Sequence, residues 1–196
     1  MSKQVEFFFD VGSPTAYLAW TQLPALCAQA GAELVYRPML LGGVFQATGN
    51  ASPAAVPAKS RYMNIDMARH ARRYGVPLAP NPFFPINTLL LMRGATGAQL
   101  RAPERFDAYL RGVFTAMWVT PQNLNDPATA AQALAAAGFD PAEVMVWAND
   151  AEVKAALRAT TEEAIARGVF GAPMMFVGTE MFFGQDRLDA VREALG

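Results

Sequence analysis

Three features of the pattern predict an α/β fold. A short aromatic and β-branched run near the start hands over to a helical pattern and then to a second such run. About a hundred residues with helical spacing and no strand candidate follow. Strand-like runs return only near the end, ahead of a closing helix.

Taken in order, "VEFFFDV" (Val5–Val11) reads as a mostly buried strand closed by Gly12. "SPTAYLAWTQLPALCAQAG" reads as a helix. Ser13 suits its N-cap and Pro14 its first position, where a missing N–H costs nothing. Tyr17, Leu18, Trp20, Leu23, Leu26 and Cys27 supply the apolar spacing, and Gly31 closes it. Pro24 lies inside and is expected to kink the helix. "AELVYRPML" (Ala32–Leu40) is a second strand, so the opening is a βαβ unit with a parallel pair. "LGGVFQATGNASPAAVPAK" is rich in Gly, Pro, Ser and Asn and reads as a loop with one short helical turn.

From Ser60 to about Gly168 the pattern is helical, broken by the Pro-rich extended connection "VPLAPNPFFP". Asp126-Pro127 and Asp140-Pro141 are each an N-cap followed by Pro at the first helical position. "APMMFV" and "MFFG" then flank "GTE" as a hairpin turning at Gly178, and "QDRLDAVREALG" closes as a helix. With the helical block set aside, this is the order of a thioredoxin-like domain. The predicted division is residues 1–59 and 166–196 for that domain and 60–165 for an all-α insertion.

Bulk properties narrow the function classes. At 53% hydrophobic and 17% charged residues, the 196-residue chain can bury a substantial core. No apolar run is long enough for a membrane span, and the N-terminus lacks a secretory leader's pattern, so a cytoplasmic location is expected. A net charge of −1 gives no overall drive toward nucleic acid. Lys59, Arg61, Arg69, Arg72 and Arg73 cluster, either as a solvated helix face or as a local attraction for small anions. Cys27 and His70 are the only residues of their kinds, which excludes an intramolecular disulfide and a Cys-rich metal site. Cys27 shares an apolar face and is expected to be a buried, inert thiol; His70 is expected on a helix surface.

Thioredoxin-like domains put their reactive group where the first strand meets the first helix, whose amides and dipole stabilise an anion. Here that corner is "GSPTAY", with no cysteine, so the chain cannot itself perform disulfide exchange. A serine there can still donate a hydrogen bond to a thiolate brought by a ligand. In "GVFGAPMMFV", Pro173 precedes the third strand, at the place where such domains carry a cis-proline and leave the residue before it, Ala172, free to pair with an extended peptide.

The motifs "FDVGSPTAY", "RPMLLGGVFQATGN", "AKSRYM", "NPFFPINT", "GVFGAPMMFV" and "FFGQDRLDAV" together resemble the 2-hydroxychromene-2-carboxylate isomerases and the related kappa-class glutathione transferases, over the whole chain. The resemblance implies glutathione as cofactor. It implies Ser13 as the hydroxyl at the glutathione sulfur and Asn50 and Lys59 as ligand contacts. It further implies Ala172, ahead of Pro173, as the backbone partner, and Gln185 and Asp186 at the γ-glutamyl end. Taken singly, Asn50 reads as a turn residue, Lys59 as a solvated lysine and Asp186 as a helix-start charge. Phe45, Phe83, Phe84 and Trp118 are candidates for an aromatic pocket, and core packing accounts for each equally well. Two departures stand out: many relatives have Lys in place of Gln46 and His in place of Phe83.

The implied activity is interconversion of 2-hydroxychromene-2-carboxylate and trans-o-hydroxybenzylidenepyruvate, a step of aromatic hydrocarbon catabolism, by an enzyme expected to be a homodimer acting on a small aromatic substrate. Conjugation of glutathione to electrophiles is the first alternative. A thioredoxin-like binding module without catalysis is the second.

Overall fold

The computed structural model describes residues 3–196, so the first two residues of the predicted first segment lie outside the described residues. Strand β1 (Gln4–Phe9) leads into helix α1 (Pro14–Ala30) and strand β2 (Glu33–Pro38). Helices α2 (Leu41–Thr48), α3 (Pro57–Tyr74), α4 (Leu89–Arg101), α5 (Phe106–Trp118), α6 (Pro127–Ala136), α7 (Pro141–Asn149) and α8 (Ala151–Ala166) follow. Strands β3 (Met174–Val177) and β4 (Glu180–Phe183) and helix α9 (Leu188–Leu195) complete the chain. The sheet runs β2-β1-β3-β4, with β1 and β2 parallel and the other two pairs antiparallel. The fold is thus the α/β, thioredoxin-like one expected, with helices inserted between β2 and β3.

The unbroken apolar run of β1 is explained by burial on both faces. Val5, Phe7 and Phe9 join Met175 in the larger core with α1, α5 and α9. Phe8 points the other way, into a smaller core with Met174, Phe176, Val44 and Ala164. Phe114 of α5 wedges its ring between Phe9, 6.3 Å away, and Tyr17 and Trp20 of α1, at 5.7 and 5.2 Å. Rings of this size each contribute roughly 1.5–3 kcal/mol by leaving water, so the inserted helices are docked on the sheet's apolar face. Helix α8 is held over the opposite face by ionic contacts. Arg37 pairs with Glu163, Arg167 lies 2.7 Å from Glu6 and 3.2 Å from Glu163, and the Arg167 guanidinium sits 3.8 Å above the Phe176 ring.

Two local expectations are corrected. The segment after β2 is not chiefly loop: α2 spans eight residues there, a 3-10 turn follows over Pro53–Ala55, and α3 starts at Pro57. Gly42 and Gly43 have low helix propensity, but Thr161 Oγ1 accepts from Leu40 N at 3.0 Å and Asp10 Oδ2 accepts from Leu41 N at 2.8 Å. The second bond supplies, from the residue just after β1, the cap that apolar Leu40 lacks. Second, His70 is half-buried on α3, with Nε2 3.8 Å from Asp66 Oδ2 and its ring 5.7 Å from that of Tyr74. Helix α1 spans Pro14–Ala30 with Pro24 inside it. Cys27 is buried, and desolvation pushes its thiol up to about 11, as an inert core thiol requires.

Candidate active site

The site is built where β1 ends. Ser13 has extended backbone, φ −96° and ψ 115°, and its Oγ accepts from Ala16 N at 3.1 Å, which makes it the N-cap of α1. Its own amide donates to Asp10 O at 3.0 Å and closes the turn. Gly12 is required in that turn by crowding: a Cβ there would stand 2.9 Å from Thr88 Cγ2 and 3.3 Å from Asp10 Oδ1.

Across the corner lies the loop ahead of β3, with Ala172–Pro173 cis. The Ala172 carbonyl accepts from Ser13 Oγ and from Thr15 Oγ1, each at 3.0 Å, and the two hydroxyls stand 2.9 Å apart. Ser13 is only 5% exposed, whereas Thr15 is half-buried. Two further stretches are drawn to the same loop. Asn50 Nδ2, just beyond the end of α2, donates to Phe170 O at 2.8 Å, while its Oδ1 accepts from Ala51 N. Gly184 N donates to Pro173 O at 3.1 Å, which seats Gln185 and Asp186 beside the cis-proline. Gln185 is buried, with its carbonyl accepting from Tyr74 Oη at 2.6 Å. The Asp186 carboxylate is exposed and paired with Arg187 at 2.6 Å.

Ser13, Asn50, Ala172, Pro173, Gln185 and Asp186 are therefore linked through one loop. Lys59 sits apart from this hydrogen-bonded set, exposed on the first turn of α3. The four aromatic pocket candidates and Gln46, the fifth residue assigned to the substrate pocket, differ in burial. Phe45 is half-buried and Gln46 exposed on α2, and Phe83 is 45% exposed. Phe84 packs against Trp118 at 6.1 Å between ring centres. Trp118 is a core side chain, 3% exposed, whose indole N–H donates to Val11 O at 2.8 Å. A cavity of about 150 Å³ between α1, α3 and α9 is lined by Gln22, Gln29, Arg73, Tyr74, Asp186 and Arg192 among others, and by none of those five.

Sequence reasoning missed two residues of this corner. Asp10 is 1% exposed; Oδ1 accepts from Gly12 N at 2.8 Å, and Oδ2 accepts from Leu41 N at 2.8 Å and Thr88 Oγ1 at 3.0 Å. One carboxylate thus joins the site turn to α2 and to the start of α4. Burial raises its pKa, against the lowering effect of those three donors. The available signal was an acid ending an otherwise apolar buried strand. Thr15 was the second, a hydroxyl two positions beyond Ser13 in the first helical turn. What this corner offers is a hydroxyl pair at a helix N-terminus beside a carbonyl able to take a peptide N–H.

Known proteins share this architecture. The DSBA-like thioredoxin domain matches residues 4–196. A 2-hydroxychromene-2-carboxylate isomerase of Sphingobium xenophagum is 30% identical over 200 residues, covering 100% of this chain and 99% of that one. Glutathione S-transferase kappa 1 of Caenorhabditis elegans is 28% identical over 98% of this chain and 90% of its own. The solved structure of a 2-hydroxychromene-2-carboxylate isomerase superposes with a TM-score of 0.86 at 30% identity, covering 98% of this chain and 94% of that one. The chain belongs to the DSBA-like thioredoxin domain family, among its 2-hydroxychromene-2-carboxylate isomerase and kappa glutathione transferase relatives.

Proposed function

We propose that the protein is a glutathione-dependent isomerase acting on 2-hydroxychromene-2-carboxylate or a close aromatic analogue. The observation that carries this reading is a serine hydroxyl, in place of a cysteine, at the N-terminus of α1 and 3.0 Å from the carbonyl ahead of a cis-proline. The isomerase relatives span nearly the whole chain and support the reaction class.

The residues present fit a γ-glutamyl tripeptide thiol. The Ala172 carbonyl meets a backbone N–H, Asp186 suits an ammonium group, and Asn50 and Lys59 suit amide and carboxylate groups. When bound, glutathione supplies a thiol that adds reversibly to the conjugated carbon of the substrate and leaves after the ring has opened and the new single bond has rotated. Ser13 holds that thiol's charge. Its Oγ already accepts from Ala16 N, so its proton is the group it has left to offer a sulfur. Lowering a thiol's pKa by two is worth roughly 2.7 kcal/mol. A hydrogen bond to a charged group contributes about 1.5–3 kcal/mol and a helix N-terminus about 0.3–1 kcal/mol, so the two together are of that size.

The reading includes a cytoplasmic homodimer, expected at twice the 21.1 kDa chain mass in light scattering; a monomer at micromolar concentration contradicts that part. Among the described residues no helix is long and apolar enough to cross a membrane. Glutathione binding is expected by calorimetry, and its absence sinks the whole reading. Ser13→Ala is expected to lower turnover at least tenfold, by analogy with loss of an anion-stabilising donor, and a change within about twofold contradicts the role given to Ser13. Free thiol conserved during substrate turnover supports isomerisation, whereas net loss with an electrophile supports the transferase reading. Binding without turnover leaves a binding module.

A further inference from the structure

Three oxygen–oxygen contacts at this corner share two hydroxyl protons. Ser13 Oγ and Thr15 Oγ1 each lie 3.0 Å from the Ala172 carbonyl and 2.9 Å from each other. At most two of the three can be hydrogen bonds at once. The amide of Ala16 occupies one acceptor position on Ser13, and both hydroxyls have the Ala172 oxygen as an acceptor. That oxygen is also the group a bound peptide would address with its own N–H, and a carbonyl has two lone pairs to share.

We propose that Thr15 is a second donor to the ligand thiolate, and that the Ala172 carbonyl couples backbone recognition to thiol ionisation. A peptide N–H reaching that carbonyl competes with the two hydroxyls for it, and both protons then turn toward the stronger acceptor, the sulfur anion. Charge-assisted bonds are roughly twice as strong as neutral ones, so the exchange runs downhill once a thiolate is at hand. Thr15 suits the task because it is half-buried, whereas a fully exposed hydroxyl would donate its hydrogen bond to water instead. Position in the first turn of α1 also lets the same helix end support both donors.

This inference rests on the glutathione reading, and the test separates the two. Bound glutathione is titrated by its thiolate absorbance in the ultraviolet, with S-methylglutathione, which has no thiol to ionise, as a binding control. Thr15→Val keeps the branched shape and removes the hydroxyl. It is expected to lower the ionisation constant of the bound thiol about tenfold or more, as loss of one hydrogen bond to a charge implies. Thr15→Ser is expected to stay within about twofold of the parent, since the hydroxyl returns. Both variants are expected still to bind S-methylglutathione, Thr15→Val no more weakly than the parent because one competitor for the Ala172 carbonyl is gone, and that binding also reports that they are folded. If the parent ionises glutathione and Thr15→Val does so equally, or if Thr15→Ser loses as much as Thr15→Val, Thr15 is no donor. If the parent binds no glutathione, the functional reading itself falls.

Discussion

Asp10 shows how much one side chain can decide at this site. Three donors from three different segments end on its carboxylate: Gly12 N, Leu41 N and Thr88 Oγ1. Asp10→Ala would strand those donors in the interior, at about 1–3 kcal/mol by the cost of an unsatisfied buried group, readable as a lower denaturant midpoint. The sign of its pH dependence follows from burial. The carboxyl pKa is raised above its ordinary 3.8 in the folded chain. Between those two values the folded chain therefore holds a proton that the unfolded chain has released. Asp10's contribution is full below the ordinary value and declines as pH rises through the raised one. The stability difference between parent and Asp10→Ala should thus shrink as pH is raised from about 4 and then level off. A difference that grows over that range would mean that the hydrogen bonds outweigh desolvation. Ser13 is the opposite kind of residue, legible from "GSP" as a cap, yet its contact with Ala172 depends on a loop 159 positions away.

At the scale of elements, the inserted helices meet through glycine and alanine. Helix α4 presents Gly94, Ala95, Gly97 and Ala98 as buried positions, and a Cβ on Gly97 would stand 2.5 Å from Trp147 Cβ of α7. A Cβ on Gly94 would clash with the Tyr109 hydroxyl of α5, and one on Gly112 with Ala137 beyond α6. Gly97→Ala is therefore expected to destabilise by about 1–3 kcal/mol through overpacking, although alanine favours a helix over glycine by about 1 kcal/mol. Urea unfolding would show it as a lower midpoint with an unchanged slope; an unchanged or higher midpoint would show that α7 gives way. The same contest explains why α2 was hard to read. Its Gly-Gly start argues for loop, but Gly43 lets the helix approach Thr161 of α8, where a Cβ would have only 3.3 Å. The helices of the insertion were legible because Asp126 and Asp140 cap them locally, each accepting from an amide of the helix it starts.

For the whole molecule, the three-layer arrangement places the site. The sheet is covered by α1, α5 and α9 on one face and by α2 and α8 on the other. The insertion also buttresses the corner around Ser13: Thr88 at the start of α4 reaches Asp10, and Trp118 at the end of α5 reaches Val11. Periodicity, caps and turn residues determined the element order, the cysteine-free corner and the proline before β3, because each is a property of neighbours in the chain. The motifs in series pointed to the family for the same reason, since their order survives without any contact between them. Only the tertiary structure decided which residues stand together. It brought Thr15 and Ser13 onto one carbonyl, made Asp10 a junction, turned a glycine-rich loop into α2, and drew Trp118 into the core. Each of those outcomes depends on a hydrogen bond or a packing contact between residues far apart in sequence, and such a partner leaves no trace in local spacing.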